Sequence, residues 1–378
     1  MRHDLAIAFS AMTVLLVALG IGRFIFTPLL PLMHDDLGLS LSAGGWMAST
    51  NNLGYLIGAL GCSIWKLDAR RTLRGGLLLA SLATLAVGFS SHLGVWLALR
   101  LIGGIASAAL VIHGIAFGLS RMREPTPRRE AIVFAGPGVG IALSGVLVAL
   151  LRPLGMSARQ GWVGFGVLAL LASALIWRVL ARPPQAHAAH HARALPASGP
   201  AWSLVATYSL LGFGYIIPAT FLPVIAGRDL HLPALREWFW PLYGSAAMLG
   251  VVIVAMLPRH FSRRLALAAC CLSLGIGIGL CLALPTLTGF ILGTLCCGIV
   301  SMPVVLLVMD EARRLHPHDP ARLIAVLTAG FSAGQIAGPL LAGTLAERLH
   351  SFHWPLLLAL ASCLLGLAAC AVRRRCAR

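Results

Sequence analysis

Arg23 and Arg100 each stand inside a run of residues apolar enough to lie in lipid, Ala18-Leu-Gly-Ile-Gly-Arg-Phe-Ile-Phe-Thr-Pro-Leu-Leu-Pro31 and Leu97-Ala-Leu-Arg-Leu-Ile-Gly-Gly104. A charged side chain near the centre of a bilayer costs about 2.5 to 3.5 kcal/mol on insertion scales, so such residues usually face a polar cavity and mark a pathway. All twelve acidic residues fall in loops or at the ends of apolar runs, which leaves no carboxylate in the core to neutralise either arginine. The cavity is therefore expected to be electropositive, and the donor fork of a guanidinium suits carboxylate or phosphate. From the helical rise per residue, Arg23, Arg100, Asn51 and Asn52 come to one depth, with Gln335 near the middle of its own run. The pattern points to an anionic or anion-bearing substrate held by Arg23, with Arg100 adding field and Asn51, Asn52 and Gln335 orienting the ligand. The plainer reading of Arg100 is a structural residue that bonds backbone carbonyls. Proton coupling needs a group that titrates near neutral pH, and His113 is the clear candidate within the apolar runs. Asp310 is the second, although its neighbours Glu311, Arg313 and Arg314 also fit a solvated end cluster.

These residues have to be carried by membrane-spanning helices. Hydrophobic residues make up 58% of the 378 and charged residues 11%, and the mean hydropathy is +0.88, far from the balance of a soluble domain. Runs of the length that spans a bilayer recur at 5–33, 43–65, 73–91, 94–119, 131–151, 161–181, 202–224, 238–258, 265–283, 287–309, 323–345 and 354–372. The first is read as a helix rather than a signal peptide, because no small-residue cleavage site follows Met1-Arg-His-Asp4 and the apolar run continues to Pro31. The formal charge of +17 lies in alternate loops: 22 of the 29 Lys and Arg residues fall on one side and five on the other. The positive-inside rule then gives twelve spans with both termini in the cytoplasm, and it removes the only support for nucleic-acid binding. Residues 182–201 are polar and rich in Pro and Ala, so the expected organisation is a six-helix bundle over 1–181, a cytoplasmic linker over 182–201 and a second six-helix bundle over 202–378. His187, His190 and His191 in that linker read as part of a solvated spacer, and the nine cysteines show no metal-ligand spacing and read as apolar packing residues. Neither a metal nor a cofactor is expected. Tyr55, Trp46, Trp65, Trp96, Trp162, Trp177, Trp202 and Trp354 are assigned to aromatic belts near span ends, without a ligand role.

The two halves repeat. Gly20-Ile-Gly-Arg-Phe-Ile-Phe-Thr-Pro-Leu-Leu-Pro31 aligns without gaps on Gly212-Phe-Gly-Tyr-Ile-Ile-Pro-Ala-Thr-Phe-Leu-Pro223, and at the same offset Trp46 meets Trp238 and Gly58 meets Gly250. Internal repeats with a site at their interface are the usual construction of secondary transporters. Arg23 is then opposed by Tyr215, so one half carries the charge and the other a hydroxyl and a ring.

At this level the chain resembles the major facilitator superfamily over essentially its full length. After the second helix, Gly61-Cys-Ser-Ile-Trp65-Lys66-Leu-Asp68-Ala-Arg70-Arg71 follows the family's Gly-x-x-x-Asp-Arg/Lys-x-Gly-x-Arg-Arg loop, with Trp65 in place of its Asp and Asp68 in place of its Gly. Leu97 to Ala108 is similar to the motif of the fourth helix, with Gly103 in place of its Gln. Gly136-Pro137-Gly-Val-Gly140 is similar to the Gly-Pro motif of exporting antiporters, and Gly334-Gln-Ile-Ala-Gly338-Pro339 echoes it in the eleventh helix. Within the superfamily the signatures of the first and eleventh helices resemble the bacterial YbfB/YjiJ branch. The resemblance implies an all-α inner-membrane protein of two pseudo-symmetric six-helix bundles, not an enzyme, that moves a small solute by alternating access as a monomer. Lys66, Arg70, Arg71, Gly136, Pro137, Gly338 and Pro339 are then gating and packing positions. A multidrug or lipophilic-compound exporter driven by proton antiport is the alternative, favoured by the Gly-Pro motifs and opposed by the cavity's charge. A receptor without transport and a membrane-embedded enzyme are further rivals, the enzyme opposed by the absence of zinc-protease, nucleophile-elbow and P-loop motifs.

Overall fold

The computed structural model describes residues 2–65, 67–124, 126–181, 200–229, 236–258, 261–316 and 320–371, so Lys66 and residues 182–199 of the linker lie outside the described residues. The described chain forms twelve helical segments and no strand. They are His3–Leu37, Leu41–Ile64, Ala69–Val87, Leu93–Arg121, Pro127–Leu151, Ala158–Ile176, Pro200–Asp229, Phe239–Met256, Arg263–Ala283, then Leu287–Leu315 with a break at Met302, Pro320–Arg348 and His353–Ala371. Ten are long and apolar enough to cross a membrane. The exceptions are the second and third: Leu41–Ile64 carries no charge but is diluted by Gly, Ser and Asn, and Ala69–Val87 opens on Arg70, Arg71 and Arg74. Both are long enough to span, and both are packed among the other ten.

Side-chain caps set most of the starts. Ser40, Asp68, Thr126, Ser157, Ser262 and Thr286 each accept a backbone N–H of the following turn, and Ser157 with Gln160 forms a reciprocal capping box. Asp68, which stands where the family loop has Gly, thus starts the third helix by accepting the Arg71 N–H at 2.8 Å. Arg70 and Arg71 are exposed beside it.

The termini emerge at one end of the bundle pair, since the number of spans is even. At that end the ion pairs among the described residues stay within a half. Asp4, buried, accepts from the backbone N–H groups of Arg123 and Glu124 and from Arg129 Nη1 at 2.8 Å, while Arg263 pairs with Asp310 and Arg264 with Glu311. Asp4 thereby ties the start of the first helix to the turn between the fourth and fifth. Asp4→Asn keeps the shape but loses the charge that holds Arg129, so trypsin is expected to cut faster at Arg121, Arg123 or Arg129; an unchanged digestion rate would show the turn is held by other contacts.

At the opposite end the halves are joined. The second helix lies along the eleventh and the fifth along the eighth, with glycines where backbones touch. A Cβ on Gly45 would come within 2.3 Å of Pro339 O, one on Gly343 within 2.4 Å of Leu41 O, and one on Gly244 within 2.4 Å of Ala142 N. Among the described residues five hydrogen bonds cross the seam: Thr27 Oγ1 to Ala219 O, Ser49 Oγ to Ile336 O, Asn52 Nδ2 to Gln335 O, Ser42 N to Glu347 Oε2 and Arg236 Nη2 to Asp35 Oδ2, at 2.6 to 2.7 Å. Thr27 and Ala219 are separated by 192 positions, the offset of the sequence repeat, so this bond joins repeat-equivalent residues and lies close to the pseudo-two-fold axis.

The two Gly-Pro motifs have matching surroundings. Gly136 and Gly140 bring the fifth helix against Met12, Leu16 and Gly20 of the first, and Gly334 and Gly338 bring the eleventh against Ser209, Phe213 and Ile216 of the seventh. In each half the motif helix grips the helix that carries the Arg23 or Tyr215 position.

Candidate functional site

The first helix is not regular where it carries Arg23. Residues Leu16–Ile21 form a π-turn, in which Gly22 N bonds Val17 O at 2.8 Å and Phe24 N bonds Leu19 O at 2.9 Å. Regular helix resumes at Phe26. The sequence explains the break: Pro28 has no N–H for the carbonyl of Phe24, so Thr27 N turns to Phe24 O at 3.2 Å, and the carbonyl of Arg23 loses its own i+4 donor. Freed carbonyls inside a membrane need another donor. Arg100 supplies it, with Nη1 to Gly22 O and Nη2 to Arg23 O, both at 3.0 Å, and a longer Nε contact to Met47 O at 3.5 Å. Its plane lies against the rings of Phe26 and Trp162 at 5.2 and 5.9 Å. Asn51 Nδ2 in turn donates to the carbonyl of Arg100 at 2.9 Å. Arg100 is fully engaged with backbone.

Arg23 is not. Its guanidinium lies over the rings of Phe24 and Tyr55, at 5.1 and 5.2 Å, and Nε and Nη2 are buried without an acceptor. No carboxylate among the described residues comes within ion-pair distance of it. Arg23 bounds a cavity of about 530 Å³ between the halves, together with Tyr55, Tyr208, Tyr215, Phe331 and Gln335. The cavity runs from Arg23 at mid-depth to Cys62, Ser63 and Ile324, near the ends of their helices on the side of the termini. It is closed beyond Arg23 by the five seam bonds, so the structure is open toward the terminal side. A small void of about 20 Å³ lies past Arg23, between Asn51, Asn52, Arg100 and Thr220.

The expected site residues therefore divide. Arg23, Tyr215 and Gln335 line the cavity. Arg100, Asn51 and Asn52 sit just behind it and are spent on backbone contacts. His113 and Asp310 are not among the lining residues; His113 Nδ1 is 2.9 Å from the carbonyl of Ala109, one turn earlier, and Asp310 accepts from Arg263 at 2.6 Å. Pro137 reaches the lining, while Gly136, Gly338 and Pro339 pack helices together.

The aromatic-belt assignment needs correcting at three positions. Trp46, Trp65, Trp202 and Trp354 are exposed, as belt residues should be, but Trp96 and Trp162 are buried and donate their indole N–H inward, to Val87 O and Ser90 O and to Met33 Sδ. Tyr55 lies within the second helix rather than at its end, in the cavity wall. Its place one turn beyond Asn51 and Asn52 was the available signal, since residues three and four apart share a helix face. Phe331, one turn before Gln335, was missed for the same reason. Its ring stacks on Tyr208 at 4.1 Å and 11°, and lies nearly parallel to Tyr215 at 6.1 Å and 12°.

Residues 15–373 match the family described as "Uncharacterised MFS-type transporter YbfB". The chain belongs to this family of major facilitator transporters. The transporter is 25% identical over 367 residues to the uncharacterized MFS-type transporter YceJ of Bacillus subtilis (strain 168), covering 91% of this chain and 89% of that one. Among solved structures it is similar to a mutant of the nucleoside transporter NupG, with a TM-score of 0.75 at 12% identity over 97% of this chain and 98% of that one. A bacterial homolog of the human lysosomal transporter Spinster, solved inward-facing and unoccupied, gives 0.69 at 14% over 98% and 96%. At these identities the solved structures establish the fold of the transporter: two six-helix bundles about a central cavity.

Proposed function

We propose that this transporter moves a small organic anion across a bacterial inner membrane by alternating access, with Arg23 holding the negative charge. The observation that carries the reading is that Arg23 has two buried N–H donors without an acceptor and no carboxylate partner, at the deep end of the cavity between the halves. A buried guanidinium left in that condition is costly, and an anionic ligand relieves it with paired, charge-assisted hydrogen bonds. Tyr215 and Gln335 supply further polar contacts from the second half. The bundles over 1–181 and 202–378 would rock about the seam through Thr27 and Ala219, with residues 182–201 as the connecting linker and both termini in the cytoplasm. The cavity then faces inward in this structure. Coupling to protons draws no support from the cavity wall, where neither His113 nor Asp310 is found.

A second reading has one observation in its favour: the wall is otherwise mostly aliphatic and aromatic, which would suit an exporter of lipophilic compounds. Thermal unfolding of the protein in lipid nanodiscs separates the two, because a ligand that binds only the folded state raises the midpoint by mass action. Organic carboxylates or phosphate esters are expected to stabilise the wild type, and Arg23→Gln to lose at least about tenfold in their affinity, the equivalent of roughly 1.4 kcal/mol. Stabilisation of wild type and variant alike by tetraphenylphosphonium or neutral lipophiles, with no response to anions, would overturn the anion reading in favour of the exporter.

A further inference from the structure

The shape and chemistry of the cavity wall narrow the ligand beyond its charge, and this step rests on the anion reading above. Among the described residues, Arg23 is the only Lys or Arg that lines the 530 Å³ cavity. Arg100 is not among those lining residues and bonds the carbonyls of Gly22 and Arg23 through Nη1 and Nη2. A second negative charge on the ligand would meet no second cation among these described lining residues, only neutral groups such as Thr328, Ser332 and Gln335, at the cost of its hydration. One charge is therefore matched and two are not.

The wall that receives the rest of the ligand is built from rings. Tyr208, Phe331 and Tyr215 come from the seventh and eleventh helices and stand within 12° of parallel in sequence, forming a rail of ring planes along one side of the cavity. Phe331 is the middle member and is half-buried, and it is placed on the eleventh helix one turn before Gln335. The close approach of its backbone to Gly212 fixes that register: a Cβ on Gly212 would meet Phe331 O at 2.6 Å. Tyr55 and Phe24 lie against the Arg23 guanidinium, with ring centroids 5.2 and 5.1 Å from Cζ, and Nε and Nη2 are the buried donor nitrogens left for a ligand. A head group bound by those nitrogens and a body lying against the ring rail suit a flat aromatic molecule better than a bulky aliphatic one, because edge-to-face and offset contacts between rings both add to area burial.

We propose that the cavity selects a planar aromatic monoanion, an aryl or heteroaryl carboxylate, with Arg23 binding the carboxylate and Phe331, flanked by Tyr208 and Tyr215, setting the preference for a flat body. Cavities of this volume take ligands of drug-like size, so a fused two-ring acid fits within it.

The test uses the full chain in lipid nanodiscs, by thermal unfolding and isothermal titration, with four probes that share a size: 2-naphthoate, adamantane-1-carboxylate, naphthalene-2,6-dicarboxylate and 2-naphthylmethanol. 2-Naphthoate is expected to bind about tenfold or more tighter than each of the others. Phe331→Leu is expected to cost it about tenfold, the upper range for an aromatic contact, while leaving adamantane-1-carboxylate within about twofold. Tyr208→Leu, which strips one side of the rail, is expected to act in the same direction and serves if Phe331→Leu fails to fold. Equal binding of the flat and bulky monoanions, unchanged by either substitution, would overturn the planar preference and leave the anion reading standing. Dicarboxylate binding as tight as that of 2-naphthoate would overturn the single-charge rule. Binding of 2-naphthylmethanol without any carboxylate would defeat the anion reading itself.

Discussion

Arg100→Met is expected to lower the unfolding midpoint by about 5 °C or more and to weaken anion binding at the same time. The first effect comes from the carbonyls of Gly22, at the end of the π-turn, and of Arg23, which loses Thr27 N to Phe24 O; Arg100 satisfies both at 3.0 Å. A buried polar group left unpaired costs about 1 to 3 kcal/mol, and the two together amount to a large part of a typical stability of roughly 5 to 15 kcal/mol. Removing the buried charge returns some of its desolvation cost, so the net loss is smaller than the sum. The second effect follows because the same bonds fix the backbone that aims Arg23. Arg100→Lys keeps the charge but offers a point donor in place of a planar fork, and cannot span both carbonyls with the same geometry; it is expected to recover only part of either loss. Thermal unfolding and ligand titration of the two variants check this. A Met variant as stable as the wild type would mean that the break in the first helix needs no cap.

Gly45→Leu is expected to shift the transporter away from the conformation described here and to abolish net transport. Gly45 faces Gly343 and the carbonyl of Pro339 across the seam, and even a methyl group there would come within 2.3 Å of the oxygen. The obstacle is backbone rather than a movable side chain, so the second and eleventh helices have to part, taking with them the Ser49–Ile336 and Asn52–Gln335 bonds. Shifting a two-state protein from 99:1 to 1:99 takes about 5.5 kcal/mol, which a clash of this kind together with two lost seam bonds can supply. Cys62 lines the open side of the cavity in the present state, so its alkylation by a maleimide, read by peptide mass spectrometry, reports the shift. The rate at Cys62 is expected to fall about tenfold or more in Gly45→Leu, and substrate flux in proteoliposomes to be lost. Gly75→Ala, with nothing within 4 Å of the added carbon, is the control. Unchanged alkylation and flux in Gly45→Leu would show that the seam accommodates the bulk without opening.

Ten of the twelve helical segments were legible because lipid imposes one rule on them, a minimum apolar length, while the second and third, diluted by polar residues and arginines, were legible from their length and place in the alternation of loop charge. The offset of 192 was legible too, and it pairs Tyr215 with Arg23 by sequence alone. What one dimension does not carry is direction around a helix. Asn51 and Asn52 stand at the expected depth, yet one turns to the carbonyl of Arg100 and the other to that of Gln335, because adjacent residues point about 100° apart and both faces are occupied by neighbouring helices. Arg100 could be read as ligand or as strut from its residue type alone. The choice is made by the break in the first helix, where Pro28, seventy-two positions away, leads to the freeing of the Arg23 carbonyl and the π-turn ends at Gly22, the two carbonyls that Arg100 caps. Tyr55 and Phe331 were hidden by their type, since aromatic residues in a membrane helix suit a belt as well as a cavity wall, and only the helical neighbours Asn51 and Gln335 marked their faces.

The bond between Thr27 and Ala219 has a consequence for how a ligand can lie in this protein. A residue on a two-fold axis meets its own image, and in a perfectly duplicated chain the position of Thr27 would face a second threonine, and that of Arg23, one turn away, a second arginine. Two guanidiniums mirrored across an apolar cavity would repel each other and demand a ligand charged at both ends. Here the hydroxyl is kept on one side only, with a methyl group opposite, and the charge on one side only, with a phenol opposite. If Arg23 holds an anion as proposed, a symmetric pair of sites would allow a cargo two interchangeable poses, and the broken symmetry at these two positions would leave it one: head toward the first half, body toward the second.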